Sequence, residues 1–395
     1  MESDDDFAAF SRAIASDPIG VLLAKWRRDV ITRKVMRIPG VVEVIPTGSL
    51  ARGTQIGPVH DVDLVAVFDR SKHPGYGIKG KSEEAVKSAE GAIALLENGL
   101  LEQLHPWLEI GLLKETEQRR HVVTLHGDWA GPFKDIIPVA PPVDVLPAVR
   151  EGSHLLIPER GTGWIETDPE NLIRQVEQRQ REWKYFTAVS GMVKEWARLN
   201  NLKIRNLAID VMVLQYCPRP RLFETLSCGD AVARFFKAAY DDNFTSLKDP
   251  TGRCRKLDLG INFGRLHTAL GEASDLARLA MDAENIWKHR PGEVIHPSVL
   301  WHQLFGKKYP RARKRFWRAQ EAETWVARHT AEPVEKADTG GWNDPDNPRT
   351  SRPGDGPSRP SSPRGPQPSP EPTEPSASPW PRIFGRAAPT PLTYG

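Results

Sequence analysis

The chain has little cysteine, almost no net charge and no long apolar run, and each shortage narrows what it can be. Three cysteines in 395 residues, Cys217, Cys228 and Cys254, form an odd, sparse set without metal-ligand spacing. They support neither a disulfide framework nor a thiolate metal module, and a reducing cytoplasm is the expected compartment. Lys and Arg number 54 against 51 Asp and Glu, a formal charge of +3, so no global polycation marks a nucleic-acid binder. No apolar stretch approaches the length of a membrane span, and no membrane association is expected. The chain opens Met1-Glu2-Ser3-Asp4-Asp5-Asp6, the reverse of a cationic signal-peptide start. No internal repeat is present. Aliphatic residues nearly vanish after Glu332, where Pro, Ser, Gly, Arg and acidic residues take over. Ordering backbone costs roughly 1–2 kcal/mol per residue, and this composition has little apolar area to offset it. The tail over 331–395 is therefore expected to be disordered.

What remains is long enough for two domains. Phe7, Phe10, Ile14, Ile19, Leu22, Leu23, Trp26 and Val30 recur at helical spacing, with Asp17-Pro18 as a cap and first turn dividing two helices. Strands are expected at 41–46 and 61–68. A Gly- and Lys-rich loop from Ser71 to Lys81 and a helix over 82–103 follow. Strand-like runs recur at 107–113, 119–126 and 143–149. From about 169 the pattern is helical, over 169–200, 204–216, 228–240 and 270–289. The expected architecture is α+β: a mixed-sheet core over 1–165, a helical domain over 166–330, and the tail.

The chemistry concentrates in one stretch. An apolar run, Val41 to Thr47, leads into Gly48-Ser49; after a gap of eleven residues comes Asp61-Val62-Asp63 within a second apolar run. Two carboxylates two residues apart on a strand share one face. Like charges that close repel unless a cation lies between them, and a divalent ion with oxygen ligands is the usual occupant. A Gly-Ser turn after a strand can bring backbone N–H groups to a phosphate. A third acid, Asp144, lies in the short apolar run Pro142 to Val149, where an unpaired carboxylate would be costly. A phosphate cradle beside metal-binding carboxylates is the equipment of nucleotidyl transfer.

These motifs resemble the nucleotidyltransferase superfamily related to DNA polymerase beta. Within it they are closest to the bacterial cGAS/DncV-like second-messenger synthetases. Gly48-Ser49-Leu50-Ala51-Arg52-Gly53-Thr54, Val143-Asp144-Val145-Leu146-Pro147-Ala148, Gly163-Trp164-Ile165-Glu166-Thr167-Asp168-Pro169-Glu170 and Asp249-Pro250-Thr251-Gly252 carry the likeness, which spans roughly 1–330. The resemblance implies an Mg²⁺-dependent synthase with two ions, Mn²⁺ being the alternative. It would join NTPs into a cyclic di- or trinucleotide and release pyrophosphate. Asp61, Asp63 and Asp144 would be both catalytic and metal-binding, with Asp144 also placed to take the hydroxyl proton. Gly48, Ser49 and Lys194 would bind nucleotide, Lys194 through the triphosphate. It further implies antiphage signalling through a nucleotide-gated effector, and a ubiquitin-activation-like enzyme acting on the terminal Gly395. The Trp380-Pro381-Arg382-Ile383-Phe384-Gly385 segment offers apolar anchors for capture by another protein. The same superfamily leaves open a transferase that makes linear oligonucleotides or modifies RNA or protein; a catalytically dead sensor is disfavoured because all three acids are present.

Several residues have two readings. Lys184 is a weaker candidate for the triphosphate, and Arg52 faces either solvent or a phosphate. His60 reads as loop rather than ligand. The cluster Lys307 to Arg318 interleaves cations with aromatics, which suits a solvated helix face or a nucleic-acid contact. The segment Ile204 to Asp210 departs from the resembled family, which has a serine and a glutamate where this chain has Asn206 and Asp210. That places phosphate contacts from this segment in doubt.

Overall fold

The computed structural model describes residues 2–109, 115–118, 122–126, 141–221, 224–243, 246–253, 257, 259–290 and 294–310. The tail 331–395, with Gly395 and the Trp380 segment, lies outside the described residues, as do Cys254 and the basic residues from 311 onward.

Two helices open the chain, α1 (Glu2–Ile14) and α2 (Pro18–Val35). They are divided where expected: Asp17 caps α2, its carboxylate accepting from the Gly20 N–H at 2.8 Å, with Pro18 in the first turn. Strand β1 (Val41–Thr47) runs into a one-turn helix, α3 (Gly48–Arg52), and returns as β2 (Val62–Phe68). The long α4 (Glu83–Glu109) replaces the start of the strand expected at 107–113, and the rest of that segment lies outside the described residues. Short strands β3 (Glu115–Gln118) and β4 (Val123–His126) precede β5 (Val143–Glu151), β6 (His154–Glu159) and β7 (Gly163–Thr167). They form one mixed sheet in the order β1-β2-β5-β4-β3, with β6 and β7 continuing from the far half of β5. Only β2 and β5 run parallel among these pairs.

The sheet is buried on both faces, which explains why β2 reads as a continuous apolar run rather than an alternation. Val62, Leu64, Ala66 and Phe68 face one side with Val143 and Val145, and pack on Ile31 and Val35 of α2 and on Ile93, Leu96 and Leu100 of α4. Val65 and Val67 face the other side with Leu146 and Ala148, in a core shared with the later helices. Asp61 and Asp63 have the parity of Val65, and Asp144 that of Leu146. All three acids therefore point to the face that the helices roof over.

The roof is built from α5 (Pro169–Glu182), α6 (Phe186–Leu199), α7 (Asn206–Tyr216), α8 (Cys228–Asp241), α9 (Phe263–His289) and α10 (Pro297–Phe305). The helical pattern over 169–200 is split. Trp183 leaves the helix at φ −153°, ψ 113°, and its indole N–H donates to the Leu226 carbonyl at 3.1 Å. A buried indole needs such a partner, and the break supplies it. Helix α1 packs against this layer. Phe7 stacks edge-on against Trp301 at 5.0 Å between centroids and Phe10 lies 4.8 Å from Phe305, so the first helix packs on the last rather than on the strands that follow it. Among the described residues, no single helix is long and apolar enough to cross a membrane.

Candidate active site

The site begins where β1 ends. Gly48 has φ +76°, a left-handed conformation that strains any residue with a Cβ. A Cβ there would also lie 1.7 Å from Asp63 Oδ2. The glycine is thus required twice, once by the turn and once by the carboxylate packed over its Cα.

The register then assembles the acids. Asp63 lies opposite Asp144 in the parallel β2–β5 pair, and cross-strand partners point the same way. Asp61 sits two residues before Asp63, at the mouth of β2. One carboxylate oxygen from each of Asp61, Asp63 and Asp144 lies within 4.8 Å of the others. Asp63 is 5% exposed, while Asp61 and Asp144 are half-buried. Burial, then the charges of Asp61 and Asp144, push the Asp63 carboxyl well above the usual range, with Arg52 opposing. Three convergent carboxylates without histidine or thiolate form the donor set of a hard divalent cation such as Mg²⁺ or Mn²⁺. The repulsion that raises Asp63 is what such a cation would relieve.

Behind the turn lies a charge network that the sequence reading did not assemble. Asp210 of α7 is 1% exposed and accepts from Arg52 Nε at 3.0 Å and Nη2 at 2.9 Å, from Thr54 Oγ1 at 2.9 Å and from Ser190 Oγ at 2.6 Å. Lys194 Nζ lies 2.7 Å from Asp210 Oδ1, the oxygen that Ser190 also bonds, and donates to the Thr54 carbonyl at 2.7 Å and hydroxyl at 3.0 Å. Burial alone would raise the Asp210 carboxyl; Lys194 and Arg52 together outweigh it and hold it below the usual range. One carboxylate thus faces two cations, leaving a net positive charge beside Asp63. The network also clamps the 48–54 turn to α6 and α7.

Two expectations change accordingly. Lys194 was expected to reach a triphosphate; it is instead 3% exposed, with its ammonium engaged by Thr54 and Asp210. It holds the 48–54 turn through Thr54. Arg52 faces neither solvent nor an open phosphate site, being 6% exposed and paired with Asp210. The departure at Asp210 has its explanation here: a carboxylate at that position neutralises two buried cations. The signal was present, in Arg52, Lys194 and Asp210, but only the fold brings together residues 158 positions apart.

The remaining candidates lie elsewhere. His60 is exposed, as a loop residue would be, and Lys184 is exposed with its ammonium 4.8 Å from the Tyr185 ring. Asp168 caps α5 by accepting from the Asn171 N–H at 2.9 Å. Asp249 folds its own turn, accepting from the Thr251 N–H and hydroxyl and from the Arg253 N–H. Of the basic cluster, Lys308 pairs with Glu195 at 3.1 Å, Tyr309 is 1% exposed and Lys307 faces solvent. In a second group, Glu151, His154 and Glu166, both glutamates are already paired with Lys79, whose Nζ lies 2.8 and 2.6 Å from them.

No family model matches the chain. A probable cyclic nucleotide synthase of Bacillus cereus (strain VD146) is 23% identical over 334 residues, covering 78% of this chain and 96% of that protein. CdnC of E. coli MS115-1, solved in complex with HORMA-deltaN, superposes with a TM-score of 0.53 at 16% identity, over 78% of this chain and 98% of its own. The same protein solved with ATP gives 0.52 at 18% identity, over 78% and 98%. The CD-NTase CdnG of Bradyrhizobium diazoefficiens, solved with GTP, gives 0.51 at 13% identity, over 73% and 95%. The chain therefore has the fold of CdnC and CdnG.

Proposed function

We propose that the protein is a nucleotidyltransferase that joins NTPs into a cyclic di- or trinucleotide and releases pyrophosphate. One observation carries the reading: Asp61, Asp63 and Asp144 converge within 4.8 Å of one another, directly beside the Gly48 turn over which Asp63 is packed. The similarity to a named cyclic nucleotide synthase supports it, and the ATP and GTP bound by the structural neighbours support NTPs as substrates.

The chemistry is assigned to these residues. Asp61, Asp63 and Asp144 would hold two divalent ions, Mg²⁺ by preference. When bound, such ions lower the pKa of an attacking hydroxyl and neutralise charge on a triphosphate and departing pyrophosphate. Backbone N–H groups at Gly48 and Ser49, with the Ser49 hydroxyl, hold the outer phosphates. Arg52, Lys194 and Asp210 keep that turn in place and leave net positive charge behind it. A ribose hydroxyl attacks the α-phosphorus; the new O–P bond forms as the bond to pyrophosphate breaks, and Asp144 accepts the hydroxyl proton. A second transfer within the linear intermediate closes the ring.

In this reading a core over 1–165 and a helical domain over 166–330 flank the cleft, with a dispensable tail over 331–395. The enzyme works in the cytoplasm and in antiphage signalling, its product opening a nucleotide-gated effector. Gly395 is a candidate for joining to other proteins by a ubiquitin-activation-like enzyme. Incubation with mixed NTPs and Mg²⁺, then phosphatase treatment and mass spectrometry, tests the proposal. A phosphatase-resistant product is expected, since a ring has no terminal phosphate. Products that are all phosphatase-sensitive would replace the cyclase reading with linear oligomer synthesis.

A further inference from the structure

The strand register places four side chains in one row across the sheet. Thr47 lies opposite Asp63, Asp63 opposite Asp144, and Asp144 opposite Thr124. Cross-strand partners share a face, with Cβ atoms about 4.5–5.5 Å apart. The two acids are therefore flanked, on the same face, by a hydroxyl at each end. Both threonines are buried, Thr47 at 2% and Thr124 at 0% exposure, and neither Oγ1 has a hydrogen-bond partner among the described residues.

That arrangement is unusual on physical grounds. A buried hydroxyl without a partner destabilises the fold. Valine has the same shape, suits a strand equally well, and fills neighbouring positions such as Val65, Val67 and Val145. Thr47 is also the residue preceding α3, where a threonine hydroxyl ordinarily accepts a helix N–H; here it makes no such bond. The Thr47 hydroxyl is kept out of the local bond open to it, and both hydroxyls are held beside a carboxylate. Terminal carboxylate torsions are soft, so a small rotation of Asp63 or Asp144 brings an oxygen within reach.

We propose that Thr124 and Thr47 are positioning residues for the acid pair. The Thr124 hydroxyl donates to Asp144, and the Thr47 hydroxyl to Asp63, as these carboxylates turn to ligate a divalent cation. Each bond fixes one oxygen and leaves the other for the ion. The proposal rests on the reading that the acids hold such ions. Partners of this kind typically control metal affinity or activity by 10- to 100-fold.

Thr124→Val and Thr47→Val remove only the hydroxyl; Thr124→Ser and Thr47→Ser restore it. Three readouts are taken on the full chain: melting temperature without metal, Mn²⁺ affinity by calorimetric titration without nucleotide, and pyrophosphate release against Mg²⁺ concentration. The valine variants should melt at or above the wild-type temperature, bind Mn²⁺ about tenfold more weakly, and need correspondingly more Mg²⁺. The serine variants should return towards wild type. Wild-type Mn²⁺ affinity in the valine variants, or a loss of affinity matched by a fall in melting temperature and not restored by serine, overturns the positioning role. Asp63→Asn is measured in parallel. If it weakens Mn²⁺ binding while the valine variants do not, this inference alone fails; if wild type and Asp63→Asn bind Mn²⁺ alike, the metal-site reading fails first.

Discussion

Replacing Gly48 by alanine tests whether the phosphate turn and the acid row are one device. Two separate effects are built into that position. The first is backbone strain: at φ +76° a residue with a Cβ loses about 1–2 kcal/mol. The second is contact: the new Cβ would sit 1.7 Å from Asp63 Oδ2, so the carboxylate must retreat by roughly an ångström or more. A misplacement of about 1 Å lowers the rate by roughly a hundredfold. Gly53 supplies the control. Its φ is +66°, so alanine brings similar strain, yet a Cβ there meets nothing within 4 Å. Gly53→Ala should lose about 1–2 kcal/mol in urea unfolding, and Gly48→Ala at least as much. In a pyrophosphate-release assay with NTPs and Mg²⁺, Gly48→Ala should fall about a hundredfold or more, and Gly53→Ala should stay within several-fold of wild type. Equal rates in the two variants would refute the link between Gly48 and the Asp63 carboxylate.

Further outcomes follow from the same geometry. Asp61→Asn or Asp63→Asn, measured by pyrophosphate release, should slow turnover about a thousandfold, corresponding to roughly 4 kcal/mol of lost transition-state stabilisation. Because the Asp63 carboxyl is raised in the fold by burial and by its acidic neighbours, keeping it ionised destabilises the metal-free protein above its raised pKa. That penalty fades as pH falls through the folded value towards the ordinary one. Asp63→Asn should therefore melt higher than wild type near neutral pH without metal, an advantage that shrinks on acidification. Asp210→Asn leaves Arg52 and Lys194 buried without their carboxylate and should cost about 3–5 kcal/mol in denaturant unfolding; an unchanged midpoint would show that the network contributes little. Truncation after Thr330 should leave synthesis in vitro nearly intact, and deletion of Tyr394 and Gly395 should remove any higher-mass conjugates of the protein in cells carrying its native operon.

The legible parts of the sequence were those set by local chemistry. Asp17-Pro18 announced a helix start because a cap and a fixed φ act within one turn. Gly48 and the Asp61-Val62-Asp63 spacing announced a turn and a shared face because a strand alternates. What stayed hidden depends on pairing across the sheet or between layers. Nothing local assigns Thr124 to Asp144, since β4 meets β5 through residues that are distant in the chain. Lys194 could be placed on a helix from its periodicity, but not beneath Thr54, and so its ammonium was assigned to a phosphate rather than to Asp210. Trp183 looked like one more apolar position in a long helix; its indole instead reaches the Leu226 carbonyl, and the helix ends there. The first helix was grouped with the strands it precedes, whereas its phenylalanines find their aromatic partners near residues 301–309.

The central claim is that Asp61, Asp63 and Asp144 bind divalent ions beneath a triphosphate held at Gly48 and Ser49. Anomalous scattering from a crystal grown with Mn²⁺ and a non-hydrolysable NTP measures this directly. The account predicts two manganese peaks among the three carboxylates, at oxygen-ligand distances near 2.1 Å, with the phosphates against the Gly48 turn. Nucleotide bound elsewhere, or manganese found only at Glu151, His154 and Glu166, would contradict it.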